Sequence, residues 1–571
     1  MSTDDESFHP LGAEWEDELE SMLDDTEYDS ELGMEMAQDA MRVTKGELSE
    51  AEFHDRYHED VMEEFGEDER PTKEAYEAAQ EETKGTVSRM LDAFDGDGDE
   101  SRREAMKKMG VGAAAVGMGA FGTVAEGPEN PMSAESSSHT ETKEKPDTQW
   151  GMTIDLERCD GCLSCMQACT DENQLDKGVN WMYVMAWEDE LHSSGGHGGS
   201  GGHGGSGGNS SGGGSGVYTD FNMGSDFNML VRPCQHCTDA PCEKVCPTTA
   251  RHTRDKDGLV LTDYDVCIGC RYCQVACPYG VNYFQWDDPD VAYENIPEKS
   301  DRIPDDADPE TVTEAKYEYG QRWVDARAPR GAMSKCVFCP TMQDGKMGED
   351  KVGTTACEEA CPPNAIQFGN VNDKKSDASQ HRDHPAKSRA VVHLTNGTES
   401  TKSAPSPDLV NSTLSQDDDV ESAIEKIDSE SNGSFDEGVL GVMKAIEIVS
   451  EGLKPGNEEN NSILRQQQEV LASVEAIEQY VNLESEAALD ELQLGEGSQQ
   501  DAQFQLEQYA GDPSSFKLLE DVGTHPNVTY LGQEPGPEAE QVEGPTAYEE
   551  LEGIVDKRQT VIDDETVGWQ P

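Results

Sequence analysis

All sixteen cysteines of this 571-residue chain fall into four groups of four, with none left over. Along the chain they are Cys159, Cys162, Cys165 and Cys169; Cys234, Cys237, Cys242 and Cys246; Cys267, Cys270, Cys273 and Cys277; and Cys336, Cys339, Cys357 and Cys361. The third group, CIGCRYCQVACP, has the C-x2-C-x2-C-x3-C-P spacing of bacterial ferredoxin runs. The others repeat it with an altered middle gap or, in the first, with Thr170 where proline is usual. Four thiolates satisfy one [4Fe–4S] cube, so the count matches four cubes and implies a chain of electron carriers.

The spacing carries a geometric consequence. Three cysteines two residues apart wrap a loop around one cube, and the fourth, three residues on, points away and ligates a different cube. Runs of this kind therefore interlock in pairs. Structural zinc would favour two separated C-x2-C knuckles, often joined by histidine, and disulfide frameworks belong to short secreted chains. Neither needs the Cys-x3-Cys-Pro ending that recurs three times here. Twenty residues separate Cys246 from Cys267, whereas 64 lie between the first and second groups and 58 between the third and fourth. These intervals favour an inner module, the second group with the third, and an outer module closed by the first and fourth. Cys159, Cys162 and Cys165 would then share a cube with Cys361, and Cys336, Cys339 and Cys357 with Cys169. In the inner pair Cys234, Cys237 and Cys242 would join Cys277, and Cys267, Cys270 and Cys273 would join Cys246.

The stretches GMTIDLERCDGCLSCMQACTDEN, RPCQHCTDAPCEKVCPTTA, VCIGCRYCQVACPYGVNYF, KCVFCP and ACEEACPPNAIQFGNVND resemble the iron–sulfur subunit of the dimethyl sulfoxide and polysulfide reductase family of molybdoenzymes. The resemblance covers about 150–290 and 330–375, and it resumes at SSFKLLEDVGTHPNVTYLG, residues 515–532. It implies the same nesting of the four groups. It also implies a relay of electrons between a membrane quinone-reactive subunit and a molybdopterin catalytic subunit, with no bond chemistry in this chain. Nitrate reductase relatives carry Trp at the second cysteine of the third run and hold a three-iron cluster there. Cys270 stands at that position, which argues for four cubes and against the nitrate branch.

Composition constrains the surface. Asp and Glu number 119 against 43 Lys and Arg, a net charge of −76 spread over the whole chain. Such a chain would ordinarily repel itself. In molar salt the Debye length falls to about 3 Å, and carboxylates then hydrate the surface without that cost. A halophilic protein fits this balance, and nucleic acid is excluded as a partner.

Outside the cysteine runs the chain divides further. Residues 1–100 read as a separate acidic extension with little core of its own, though Phe53, Tyr57, Val61 and Phe65 keep helical spacing. Within 101–126, Arg102 and Arg103 precede Lys107, Lys108 and a Gly/Ala-rich apolar stretch up to Ala125. This resembles a twin-arginine export signal, which carries folded, cofactor-loaded proteins. It departs from the usual signal at Ala105 and Met106 and in starting far from residue 1, and a Gly/Ala helix packed internally is the competing reading. Residues 192–216 form a Gly/Ser/His tract, read as a flexible insert although His192, His197 and His203 could bind stray metal. Residues 378–512 form an acidic insertion. There the stripes Val439, Met443, Ile446, Val449 and Val470, Val474, Ile477, Val481 imply two or three amphipathic helices. Residues 513–571 are the family tail and an acidic end. No stretch reads as a transmembrane span.

The expectation is therefore an α+β chain of two interlocked ferredoxin-like two-cluster modules, 150–377, with acidic helical extensions. All sixteen cysteines would bind four [4Fe–4S] clusters. The protein would sit at a membrane through its partners, on the extracytoplasmic face if exported and otherwise on the cytoplasmic one. Subunits of hydrogenase, formate dehydrogenase or quinol oxidoreductase complexes are the neighbouring alternatives, and a structural or assembly protein using metal only to fold is the alternative from another class. His236, between two cysteines, reads as packing rather than a ligand. Arg271 and Lys335, beside ligands, would raise local potentials.

Overall fold

A computed structural model describes residues 13–24, 26–80, 147–176, 179–189, 228–286, 316–317, 320–321, 328–395, 403–416, 419–450, 462–536 and 539–542. The twin-arginine-like segment 101–126 and the Gly/Ser/His tract 192–216 lie outside the described residues.

The segments that flank the cysteine runs are tied together by one sheet. β1 (Trp150–Asp155), which leads into Cys159, pairs antiparallel with β10 (Ile366–Asn370), which follows Cys361. On its other side β1 pairs in parallel with β12 (Val528–Leu531), itself antiparallel to the short β11 (Ser515–Phe516). The strand order is thus β10-β1-β12-β11, and the tail resembling the family lies beside the first strand of the cysteine region. β1 and β12 are buried along their whole lengths. Both read as strands buried on two faces rather than alternating ones.

Shorter pairings join the remaining runs. β2 (Met182–Asp189) runs antiparallel to β3 (Asn228–Pro233), which delivers the chain to Cys234, and to β13 (Ala539–Val542). β4 (Arg251–Thr253) and β5 (Val260–Thr262) form a hairpin between the second and third runs. β6 (Tyr283–Phe284) pairs with β9 (Met333–Ser334), linking the third run to the fourth. Between them β7 (Lys316–Tyr317) and β8 (Gly320–Gln321) pair with each other.

The N-terminal residues are not a separate segment. They form α1 (Ala13–Asp24), α2 (Ser30–Thr44) and α3 (Glu50–Phe65), the last over the spacing of Phe53, Tyr57, Val61 and Phe65. Asp29 caps α2 by accepting from the Leu32 N–H, and Ser49 with Glu52 makes a reciprocal capping box at α3. Phe53, Tyr57 and Val61 are buried as spaced, but in the core that contains the cysteines. Arg271 donates to the Met22 carbonyl at 2.8 Å, the Tyr272 hydroxyl donates to the Asp29 carbonyl at 2.6 Å, and Lys244 pairs with Glu50. Gly33 packs under the Tyr272 ring, where a Cβ would come within 2.6 Å of it. An apolar stripe announces that a face is buried, not which segment buries it, so the sequence left these helices without a partner.

The insertion between β10 and β11 holds eight described helices rather than two or three. They are α9 (Asp377–Asp383), α10 (Pro385–Thr395), α11 (Pro407–Thr413), α12 (Val420–Glu430), α13 (Glu437–Ser450), α14 (Ser462–Glu478), α15 (Glu486–Glu491) and α16 (Gln499–Ala510). Both apolar stripes are buried in a second hydrophobic core of their own. Several of the helices missed are too short to show a full period, and α10 is rich in small residues. Five of the eight open on a serine or aspartate cap, Ser376, Ser406, Asp419, Ser485 and Ser498. No helix among the described residues is long and apolar enough to cross a membrane.

The insertion is pinned to the sheet by charge. Arg389 of α10 donates Nε and Nη2 to the two oxygens of the fully buried Asp155, both at 2.5 Å, and Nη1 to Glu157 at 2.9 Å. A bidentate buried pair costs desolvation to form, but removing one member strands the other's charge. Arg389→Ala is expected to destabilise the protein by about 3–5 kcal/mol. Equilibrium denaturation of wild type and variant at one fixed salt concentration checks this, and a loss under about 1 kcal/mol, as for an exposed pair, would contradict it.

Candidate cluster-binding sites

Each cysteine loop is built on the same local conformation. The residue before the second cysteine has positive φ in all four: Gly161 at 68°, His236 at 42°, Gly269 at 71° and Phe338 at 57°. The left-handed step curls the chain so that its thiols converge. In the third loop glycine is required by space as well, since a Cβ on Gly269 would lie 2.2 Å from the Gly331 carbonyl oxygen. The second and fourth loops place His236 and Phe338 in this conformation at a steric cost. Their rings stack face to face, centroids 3.8 Å apart and planes at 15°, so each strained residue braces the other.

A helical turn begins one residue before the third cysteine of each run. α4 (Ser164–Asn173) puts Cys165 and Cys169 one turn apart, and α5 (Pro241–Lys244), α6 (Tyr272–Val275) and α8 (Ala356–Glu359) carry Cys242, Cys273 and Cys357. α7 (Pro340–Gln343) follows Cys339 directly. The last cysteine of each run is carried beyond its own loop.

All sixteen thiols are free. Cys159, Cys162 and Cys165 line one cavity together with Cys361, from the other end of the region, against Val184, Val231 and Ile366. Burial pushes the Cys159 thiol up to about 12, with Cys361 and Cys162 acting the same way. Cys169 is likewise raised by burial and then by Cys336 and Cys339, and Cys357 by burial, Cys339, Cys336 and Cys169. Cys237 is raised by burial and by Cys234, Cys242 and Cys277. Burial pushes Cys246 up to about 11, with Cys273 and Cys267 adding to it. Cys270 feels burial, then Cys273, Cys246 and Cys267. Twelve of the sixteen are buried, while Cys159, Cys162, Cys267 and Cys361 are half-buried.

Thiols crowded together in this way are a poor hydrogen-bonding arrangement but a good soft-metal one, because iron binds the thiolate and neutralises the mutual repulsion. Local donors face the sulfurs too. The Ala365 and Arg251 amides donate to Cys361 and Cys246 at 3.3 Å, and the Asn173 side chain donates to Cys169 at 3.6 Å. The donor set therefore fits iron–sulfur clusters.

The non-ligand candidates fare differently. His236 is fully buried and both ring nitrogens are engaged: Nδ1 accepts from the Val260 N–H at 3.0 Å, so Nε2 donates to the Cys336 carbonyl at 3.0 Å. Burial, with Lys335 nearby, keeps it neutral. It braces the loops, as its position between two cysteines suggested. The Lys335 ammonium is spent on the Val260 and Cys336 carbonyls, and the Arg271 guanidinium lies over the Phe284 and Trp286 rings at 4.2 and 4.0 Å. Sequence reading passed over Arg251, which lies between thiols of two sets. A basic residue five positions after a cysteine carried no signal. Apart from the cysteines, His54, His58 and Asp68 come close enough to gather a metal. There the Arg70 fork already supplies the cation, with Nε and Nη2 at 2.8 and 2.7 Å from the Asp68 oxygens.

Two family profiles match the chain: a 4Fe-4S dicluster domain over residues 225–299, and the N-terminal region of 4Fe-4S ferredoxin iron–sulfur binding over residues 9–73. The putative iron–sulfur subunit of a dimethyl sulfoxide reductase from Halobacterium salinarum is 33% identical over 244 residues, 41% of this chain and 71% of that protein. The chain belongs to this family of reductase iron–sulfur subunits. The arsenate respiratory reductase iron–sulfur subunit of a Shewanella species is 32% identical, across 40% of this chain and 85% of its own length. The iron–sulfur cluster-binding subunit of the menaquinone reductase of Nitratidesulfovibrio vulgaris is 31% identical, across 41% and 79%. The protein is accordingly a non-catalytic, [4Fe–4S]-binding electron-transfer subunit of a multisubunit reductase complex. The profile over 9–73 also accounts for α1 to α3, which no cysteine marks.

Proposed function

We propose that this chain holds four [4Fe–4S] clusters in two interlocked ferredoxin-like modules and relays electrons between a membrane quinone-reactive subunit and a molybdopterin catalytic subunit. The observation that carries the reading is Cys361 lining one cavity with Cys159, Cys162 and Cys165, across nearly two hundred residues of chain. The outer module takes Cys159, Cys162, Cys165 and Cys361 for one cluster and Cys336, Cys339, Cys357 and Cys169 for the other. The inner module takes Cys234, Cys237, Cys242 and Cys277, with Cys267, Cys270, Cys273 and Cys246. Each cluster, when bound, accepts and passes one electron. The chain fixes the order of the four sites, buries twelve of the sixteen cysteines, and leaves half-buried cysteines only in the sets of Cys159 and Cys267. The catalytic partner selects the acceptor, with dimethyl sulfoxide, polysulfide and thiosulfate as the acceptor types the family resemblance favours.

The purified protein is expected to hold about sixteen irons and sixteen acid-labile sulfides, four thiolates to each cube. Cys169→Ser is expected to alter the low-temperature EPR signal of the cluster held by Cys336, Cys339 and Cys357. A change confined to the cluster of Cys159, Cys162 and Cys165 would refute the crossed ligation. Iron without labile sulfide would instead favour a metal used only for folding.

Place of work is part of the same proposal. Arg102 and Arg103 before an apolar stretch, on a protein whose clusters require export in the folded state, support an extracytoplasmic site, and the charge of −76 supports a halophilic cell. Replacing both arginines with lysine is expected to strand cluster-loaded protein in the cytoplasm, read by fractionation and iron content. A double variant found in the wild-type compartment would show that the pair is not an essential signal.

A further inference from the structure

Arg251 opens β4, and its side chain is buried to within 1% of full coverage. Its amide donates to Cys246 at 3.3 Å, and its Nη2 donates to Cys273 Sγ at 3.5 Å and to Asn282 Oδ1 at 2.7 Å. Nε and Nη1 are buried and have no protein partner. Nη2 meets Cys273 of one inner set, and Cys242 and Cys234 of the other lie within electrostatic reach of the guanidinium. The influence is mutual and reaches Cys242, Cys277 and Cys267.

A permanent charge with two unmet donors is costly in a protein interior unless an anionic acceptor completes it. Clusters held by these two sets would supply such acceptors, in thiolate and inorganic sulfide. We propose that Arg251 is a shared electrostatic positioning residue of the inner cluster pair, raising the reduction potentials of both clusters together relative to the outer pair. The proposal rests on the ligand grouping given above. Reduction adds negative charge to a cluster, and a fixed cation touching one set and within electrostatic reach of the other stabilises that added charge in each. Arg271 and Lys335 flank ligands in sequence, yet the first is placed over aromatic rings and the second on backbone carbonyls. Arg251 places a side-chain donor directly on a cysteine sulfur.

The test is a redox titration of full-length, cluster-loaded protein followed by low-temperature EPR, with the inner signals assigned beforehand through Cys277→Ser and Cys246→Ser. Arg251→Gln is expected to make reduction of both inner clusters less favourable by at least tenfold, about 59 mV for one electron, and to leave the outer pair in place. Arg251→Lys, which keeps the charge, is expected to shift them by less than half as much. Unchanged inner potentials in a fully loaded Arg251→Gln protein would overturn the proposal, as would an equal fall in both variants. If Arg251→Gln does not load, Asn282→Asp decides, because it leaves the arginine in place and sets an anion against Nη2. Both inner potentials must then fall, and unchanged values would overturn the proposal. Failure of the ligand grouping is read separately in the wild type, from its iron content and from which signals the two cysteine variants alter.

Discussion

The arrangement depends on bringing four thiols to one place from two separate stretches of chain. A three-residue step after each triplet carries the last cysteine out of its own loop, so no set can close locally. Cys361 must reach the loop of Cys159, and the β1–β10 pairing lays the strands before one and after the other side by side. Cys277 lies near Cys237, and Cys246 near Cys273 and Cys267, where the β4–β5 hairpin keeps the two loops close. Topology here answers to coordination, and the short strands serve chiefly to set loop against loop.

That crowding also explains the distribution of charge. The chain carries 119 acidic residues and only 43 basic ones, yet Arg251, Arg254, Arg271 and Lys335 are all buried in the cysteine region. Cations belong where thiolates and clusters concentrate negative charge, whereas the excess carboxylates stay in water. Arg254 is itself paired, with Asp257 and with Asp344, so it anchors the β4–β5 turn to the end of α7. Among buried basic residues, what matters electrostatically is what the head group faces, not how near it stands to a cysteine in sequence.

Two acidic additions attach to this framework by different means. The N-terminal helices lend their apolar faces to the cysteine core and seat hydrogen bonds on Arg271 and Tyr272, so they complete it. The helical insertion keeps a core of its own and is held to the sheet through Arg389 and Asp155, and through the Thr153 hydroxyl, which donates to the Ala378 carbonyl at 2.7 Å. A long insertion at that point is tolerable because its ends return to the same sheet: β10 leads out at one edge, and β11 at the other edge and β12 bring the chain back beside β1.

The sequence by itself determined the chemistry. Cysteine spacing is a local property, and the thiolate requirement of iron reads directly from it; the same holds for the stripes of α3, α13 and α14, whose periods are long enough to see. Tertiary structure alone decided what those faces cover, how many short helices fill the insertion, and which charge meets which sulfur. Phe53 and Val470 follow similar patterns yet lie in different cores, because periodicity encodes burial without a partner. Arg251 was silent for the same reason. Its importance comes from lying between two loops that are distant in sequence and adjacent only after the chain has closed around its cysteines.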